Sequence, residues 1–337
     1  MTHRDTVRGT LIITATHPVP IQIQSSVLTQ RMDLMITHEE ADTMIIRQII
    51  QADMPQVLVI ADDTDVFTLL CHFVVQGDIK GQVMMISPIK GRIMIDINAT
   101  VNKSRPIMSN LLAAHGLTGC DTVATYHGIG KGTAIKVLNK KQINLDKIGN
   151  IACPFPEVID QATKFLLCCY GREECKTMTE ARQKVWSSRL TRSIGGSPKL
   201  QTLPPTTEAA NENIARAHFQ VATWQHAKHT DPPQLDPTKF GWQKEGTSLS
   251  PVTVPNDTSL VPQELLKLLK CSCGSDSPCQ TKRCGCSSAN IACTEFCACS
   301  GGESCFNEKT IEGLQAQNES DNEDTSDSDE SDDEQIL

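Results

Sequence analysis

The sequence predicts an α/β domain with a mainly parallel sheet, then a small module held together by metal, then an acidic tail. Three observations carry this reading. Short apolar runs alternate with segments of helical period through residues 1–150, the pattern of strand–helix–strand units. Nine of the 15 cysteines lie between positions 271 and 305, where almost no apolar residue could form a core. Residues 318–337 hold ten acids and no base, a composition that buries too little apolar surface to fold.

The elements follow in order. Thr37-His-Glu-Glu40 has the spacing of a capping box, so a helix is expected to start at Thr37. Its apolar positions Ala41, Met44, Ile45 and Ile49 keep helical period. Gln56 to Ala61 reads as a buried strand, and Val83–Ile86 and Ile93–Ile97 as two more, joined by the turn-prone Ser87–Arg92. Helices are expected at Thr133–Asn139 and at Ala162–Tyr170, the latter holding Cys168 and Cys169. The domain is taken to fill residues 1–186. Residues 187–268, rich in Pro, Gly, Ser and Thr, read as a linker. One helical segment near 207–228, containing Phe219 and Trp224, interrupts it. Residues 269–308 form the cysteine module, and 309–337 a disordered tail.

Composition excludes several classes. Thirteen aromatic residues in 337 are too few for a large aromatic-rich β-sandwich. No apolar run approaches the ~18–20 residues of a membrane span. The N-terminal segment has no signal-peptide core, which argues against secretion and against disulfides. The net charge of −9 belongs to the tail: without its ten acids, 31 bases face 30 acids, a balance of +1.

The cysteine segment reads Cys271-x-Cys273-x5-Cys279-x4-Cys284-x-Cys286-x6-Cys293-x3-Cys297-x-Cys299-x5-Cys305-x-Asn307. In a reducing compartment such a segment needs metal, and thiolates suit tetrahedral zinc. Three zinc ions need twelve ligand positions, which nine thiolates fill if three of them bridge. Two separate four-cysteine sites would leave one thiol over.

Upstream, three short motifs gather carboxylates. They are His38-Glu-Glu-Ala-Asp-Thr43, Ala61-Asp-Asp-Thr-Asp-Val66, and Leu117-Thr-Gly-Cys-Asp-Thr122, the last followed by Tyr126-His-Gly-Ile-Gly-Lys-Gly-Thr-Ala-Ile-Lys136. Singly, each has a plain explanation as a helix cap or a first-turn acid. Together they place Asp62, Asp63 and Asp65 beyond a strand's carboxyl end, where open α/β sheets bind ligands. Gathered carboxylates call for a cation, and oxygen ligands suit magnesium or manganese. Two such ions could drive phosphodiester hydrolysis. Gly128-Ile-Gly130, with Lys131 and Lys136 beside it, could offer backbone N–H groups to a phosphate.

Two resemblances sharpen this. The cysteine spacing resembles the tesmin-type CXC domain, a DNA-binding module of chromatin and transcription proteins. The resemblance implies a three-zinc cluster held by all nine cysteines, with DNA contact through Lys282 and Arg283 just before the fourth. An arginine in a narrow minor groove reads A·T-rich shape. The carboxylate motifs resemble the flap-endonuclease (XPG-like, PIN-like) family over residues 35–140. That resemblance implies Glu40, Asp42, Asp63, Asp65 and Asp121 as magnesium or manganese ligands, and Gly128, Gly130 and Lys131 as a DNA-gripping hairpin. The family also draws aspartates from strands upstream of the first motif. Here only Asp5 and Asp33 precede it, so the domain reads as incomplete at its start or as short of ligands. The combination is similar to mobile-element relatives. The expectation is a zinc-binding nuclear protein that associates with DNA, and with chromatin proteins as further partners. Its nuclease-like domain is expected to be impaired. An active endonuclease and a non-catalytic chromatin scaffold are the alternatives.

Overall fold

A computed structural model describes residues 9–14, 19–25, 27–35, 40–141, 143–190, 200–253, 271–273, 279–281, 283–288, 292–294, 297–301 and 305–311. The chain divides into two compact units: Met1–Ala181 with Pro204–Thr253, and Arg182–Leu203 with Val254–Leu337. The first is mixed α/β with small sheets; the second contains the cysteine cluster.

The first unit opens with an antiparallel meander of β1 (Thr10–Ile13), β2 (Ile21–Gln24) and β3 (Val27–Gln30), which the sequence reading did not foresee. Gln51 in α1 (Ala41–Ala52) ties the meander's end to that helix, donating to the Asp33 carbonyl at 2.8 Å.

The central sheet has the order β4 (Gln56–Ile60), β5 (Gln82–Ile86), β6 (Ile95–Asp96). β4 and β5 are parallel, joined through α2 (Thr64–Gln76), as the alternation predicted. The third strand differs: it is two residues long and antiparallel to β5. Asp96 ends it early, because its carboxylate accepts from Ala99 N at 2.9 Å and caps α3 (Ile97–Lys103). β4 is also not buried throughout. Val59 is buried while Leu58 and Ile60 are 57% and 68% exposed, the alternation of a sheet covered on one face.

Five further helices complete the unit or lead out of it. They are α4 (Arg105–Leu117), α5 (Lys131–Lys141), α6 (Phe155–Cys169), α7 (Met178–Leu190) and α8 (Thr207–Gln225). The helical segment expected near 207–228 forms as α8, and it packs into the core of the first unit. α8 is capped by Thr206, whose hydroxyl accepts from Ala209 N, and it packs against α4 and α6. It buries Ile214, Ala217, Val221 and Trp224. A Cβ on Gly116 of α4 would stand 2.6 Å from Val221 Cγ2, so that glycine lets the two helices approach. Truncating a buried tryptophan such as Trp224 costs about 3–5 kcal/mol. Among the described residues no helix is long and apolar enough to cross a membrane.

Candidate functional sites

The acidic site is built where β4 ends and α2 begins. Asp63 is the N-cap of α2: its Oδ1 accepts from Asp65 N at 2.7 Å. The plain reading of that aspartate therefore holds, yet it does not exclude a second role, because a carboxylate offers about four acceptor positions. Asp65 turns inward and its Oδ1 meets His115 Nε2 at 2.6 Å; both side chains are buried. Asp42, in the first turn of α1, comes up beside them. Oxygen atoms of Asp42, Asp63 and Asp65 lie within 4.8 Å of one another. Burial, then the charges of Asp63, Asp65, Glu40 and Asp121, push the Asp42 carboxyl up to about 6.

The other predicted carboxylates stand apart from this triplet. Asp62 pairs with Arg92 at 2.6 Å. Asp33 pairs with Arg31 at 2.5 Å, and Asp5 lies outside the described residues. Asp121 is exposed in the turn after α4 and adds its charge to Asp42. Glu40 is held by α8: Gln220 Nε2 donates to both its oxygens at 2.8 and 3.0 Å, and Trp224 Nε1 to one at 3.2 Å. Thr122 Oγ1 donates to Gln220 Oε1 at 2.7 Å, which turns the amide's N–H groups towards Glu40. Glu40 is also the N-cap of α1, with the helix beginning at Ala41. The expected start at Thr37 falls outside the described residues.

The third motif forms two tight turns. Cys120 and Val123 exchange backbone hydrogen bonds at 3.0 and 3.1 Å, and Ile129 N donates to Tyr126 O at 3.0 Å. Gly119 is required here. Its φ is +109°, and a Cβ would stand 2.9 Å from Thr125 Cα. Nothing lies within 4 Å of the Cβ positions of Gly128 and Gly130, so that hairpin backbone is open. Lys131 is not free for a phosphate. Its ammonium points inward to the His115 carbonyl at 2.8 Å, Thr118 Oγ1 at 3.3 Å and the Gly119 carbonyl. Burial lowers it to about 8, while Cys120 and Asp65 act in the opposite sense.

Sequence reasoning missed His115, Gln220, Trp224 and the inward turn of Lys131. The one local signal is that Gln220 and Trp224 are four apart and so share a helix face. Nothing in the sequence joins that face to Glu40.

The second unit gathers sulfur. Three sets of thiols have all their Sγ atoms within 4.8 Å of one another: Cys271, Cys273, Cys279 and Cys284; Cys271, Cys286, Cys293 and Cys297; and Cys271, Cys279, Cys293 and Cys299. Cys305 Sγ lies 3.8 Å from Cys299 Sγ. All nine are free thiols, and sulfurs 3.6–4.0 Å apart are far beyond the ~2.05 Å of a disulfide. The cluster can hold metal ions such as zinc.

Backbone N–H groups point at the sulfurs. Ser287 N donates to Cys284, Cys271 N and Thr294 N to Cys297, each at 3.4 Å, and Asn307 Nδ2 donates to Cys293 at 3.3 Å. Burial would raise the Cys284 and Cys297 thiols, yet these donors and the neighbouring thiols bring both down to about 7. Burial and neighbouring thiols instead raise Cys279 and Cys293, and push Cys286 up to about 12. Crowded thiols of this kind release their protons when a cation binds.

Arg283 is exposed beside Cys284, with its backbone N–H on Thr281 Oγ1 at 3.4 Å. Lys282 lies outside the described residues. No family model, no curated protein and no solved structure matches the chain, so the two clusters themselves carry the functional reading.

Proposed function

We propose that this chain is a zinc-holding, DNA-associated nuclear protein. Its cysteine module binds three zinc ions and docks on DNA, and its α/β unit keeps a nuclease-like carboxylate site that is catalytically impaired. The observation that carries the reading is the sharing of sulfurs. Cys271, Cys279 and Cys293 recur among the sets of thiols, Cys273 with Cys284 and Cys286 with Cys297 occur in one set each, and Cys299 stands beside Cys305. A bridged cluster follows: Cys273 and Cys284 complete one ion, Cys286 and Cys297 a second, Cys299 and Cys305 a third. Each pair of ions shares one of the three bridging thiolates. This gives the twelve positions that three tetrahedral ions need. Arg283, exposed beside the cluster, is the side chain that would enter a narrow minor groove, with Lys282 next to it. Native mass spectrometry of the full chain tests the cluster. Three zinc ions are expected, and two would sink the bridged arrangement. Arg283→Ala is expected to weaken binding to an A·T-rich duplex, and unchanged affinity would remove the minor-groove contact.

Impairment follows from the ligand count. Glu40 is occupied by Gln220 and Trp224, and Asp121 stands outside the triplet. Three carboxylates suit one magnesium or manganese ion, whereas two-metal hydrolysis needs a second ion about 3.5–4 Å from the first. The convergence of Asp42, Asp63 and Asp65 favours a second reading, an active Mg- or Mn-dependent endonuclease. Incubation with flap DNA and either ion separates the two. Cleavage that disappears in Asp63→Ala would establish the enzyme. Absence of cleavage leaves the α/β unit as a binding scaffold for DNA and chromatin proteins.

A further inference from the structure

A cavity of about 530 Å³ lies beside the acidic triplet, within the first unit. It is bounded by α8, by the start of α1, and by the segment that follows α8. Its size falls in the range of small-molecule and cofactor sites. Glu40 is the one carboxylate on its wall, and no lysine or arginine lines it. A phosphate therefore finds no counter-charge there. Phe219 and Trp242 supply aromatic surface and Pro233 adds a flat apolar one.

Both aromatic walls are fixed. Phe219 packs on Phe240 with ring centroids 5.4 Å apart. The Arg216 guanidinium lies 5.9 Å from the centre of the Trp242 ring. That guanidinium is itself held by the Gly241 and Val252 carbonyls at 2.9 and 2.8 Å. The polar edge is equally defined. His226 Nδ1 sits 2.7 Å from the Ala222 carbonyl. A carbonyl only accepts, so Nδ1 carries the proton, and Nε2 of the neutral ring is an acceptor. The Glu40 oxygens already accept from Gln220 and Trp224, so His226 supplies the acceptor. A flat, uncharged group with an N–H donor on one edge satisfies this set: aromatic faces for stacking, an acceptor for an exocyclic amine.

We infer that the cavity takes one unpaired nucleobase of the nucleic acid whose backbone approaches the acidic triplet. The inference rests on the nucleic-acid reading proposed above and names what that site selects. Glu40 joins the two places, since it lines the cavity and its charge acts on Asp42. Base–aromatic stacking supplies the binding and is tolerant of sequence. An amine-bearing base gains the extra contact to His226.

The test uses the full zinc-loaded chain and a short flap DNA carrying 2-aminopurine at the unpaired position, in buffer without magnesium or manganese so that no cleavage intervenes. Stacking quenches 2-aminopurine, so binding is expected to lower its emission. Replacing that nucleotide by an abasic one is expected to weaken binding of the wild-type protein by roughly 5- to 100-fold. Trp242→Ala is expected to do the same, and Trp242→Phe to restore most of the affinity. Equal affinity for the abasic and the base-bearing DNA would overturn the inference and leave the nucleic-acid reading standing. Absence of binding to either DNA would overturn both. Saturation of the intrinsic tryptophan emission by a basic peptide, and not by the DNA, would assign the cavity to a protein partner and overturn the inference.

Discussion

Asp42, Asp63 and Asp65 stand on a core that exists without them, whereas Cys271, Cys279 and Cys293 are themselves the core of their module. In the first unit, Ile46, Leu69, Phe73, Val83, Leu112 and Trp224 are at most 1% exposed, and the carboxylates are added where β4 ends. In the second unit the cluster of buried residues consists of cysteines alone among the described residues. One site is grafted onto a fold and the other replaces it. Losing a ligand should then cost cation affinity in the first case and the fold itself in the second.

The largest effect expected is therefore on the cysteine module. Cys271 recurs among the sets of thiols and bridges two ions in the proposed cluster, so Cys271→Ser should release at least two zinc ions. Cys273→Ser, at a position in one set, should leave two. Apparent zinc binding of a structural site is on the order of 10–16 kcal/mol, far more than a small module holds in reserve. Native mass spectrometry counts the ions, and limited proteolysis should show cleavage within 269–308 of the Cys271 variant. A chelator should do the same while leaving the thermal transition of the α/β unit in place. If Cys271→Ser loses a single ion, the cluster is not shared.

The acidic triplet should answer in the opposite sense. A divalent cation at a hundred times its Kd should raise the unit's Tm by roughly 5–10 °C. Asp63→Ala should abolish that rise. Without cation the same variant should shift Tm by a few degrees at most, since a lost cap costs about 0.5–2 kcal/mol and relief of repulsion offsets part of it. Differential scanning calorimetry reads both numbers. A wild-type Tm indifferent to magnesium and manganese would leave the triplet as a capping arrangement.

The same contrast explains what the sequence disclosed. The cysteines were legible because their spacing alone excludes an apolar core and demands metal. β4 and β5 were legible because apolar runs of four or five residues have few other uses. α8 reads as a helix inside a linker because stretches rich in Pro, Gly, Ser and Thr flank it on both sides. Its burial depends on Gly116, about a hundred positions earlier. The His115–Asp65 contact spans 50 positions, and the Gln220–Glu40 contact 180. No local pattern encodes such pairs. Asp62, Asp63 and Asp65 looked alike in the sequence. Only the fold separates the one bound to Arg92 from the two that face Asp42.

A smaller effect sharpens the acidic side. The Asp42 carboxyl is raised to about 6 from an ordinary value of 3.8. Its protonated form is the one the fold favours. That contribution is complete below about pH 4 and is lost as pH rises through about 6. Asp42→Asn should remove this dependence, flatten the stability profile between pH 4 and 6, and leave the variant more stable than wild type at pH 7. The side chain is partly solvated, so the gain should be on the order of 1–3 °C in Tm. Cation binding by the wild type should strengthen over the same interval, as the ligand becomes charged. Thermal melts in a pH series measure both trends. A variant with an unchanged pH profile would place the repulsion elsewhere.

The smallest effect concerns the charge with which the cysteine module meets DNA. Residues 269–309 carry four bases and four acids, and three zinc ions on nine thiolates would add a formal −3. Such a surface releases few counterions. If the module docks on DNA through Lys282 and Arg283, it would neutralise about two phosphates and contribute a slope near −2 to log K against log salt. Any DNA contact of the α/β unit would add its own contribution in the full chain. The informative quantity is therefore the difference between wild type and Arg283→Ala, in which that contribution cancels. The slope should become shallower by about 1, with affinity falling a few-fold at moderate salt. An unchanged slope with weakened binding would mean that Arg283 acts through shape within the groove and not through phosphate. An unchanged slope with unchanged affinity would confine DNA contact to the α/β unit, and would leave the cysteine cluster a structural element only.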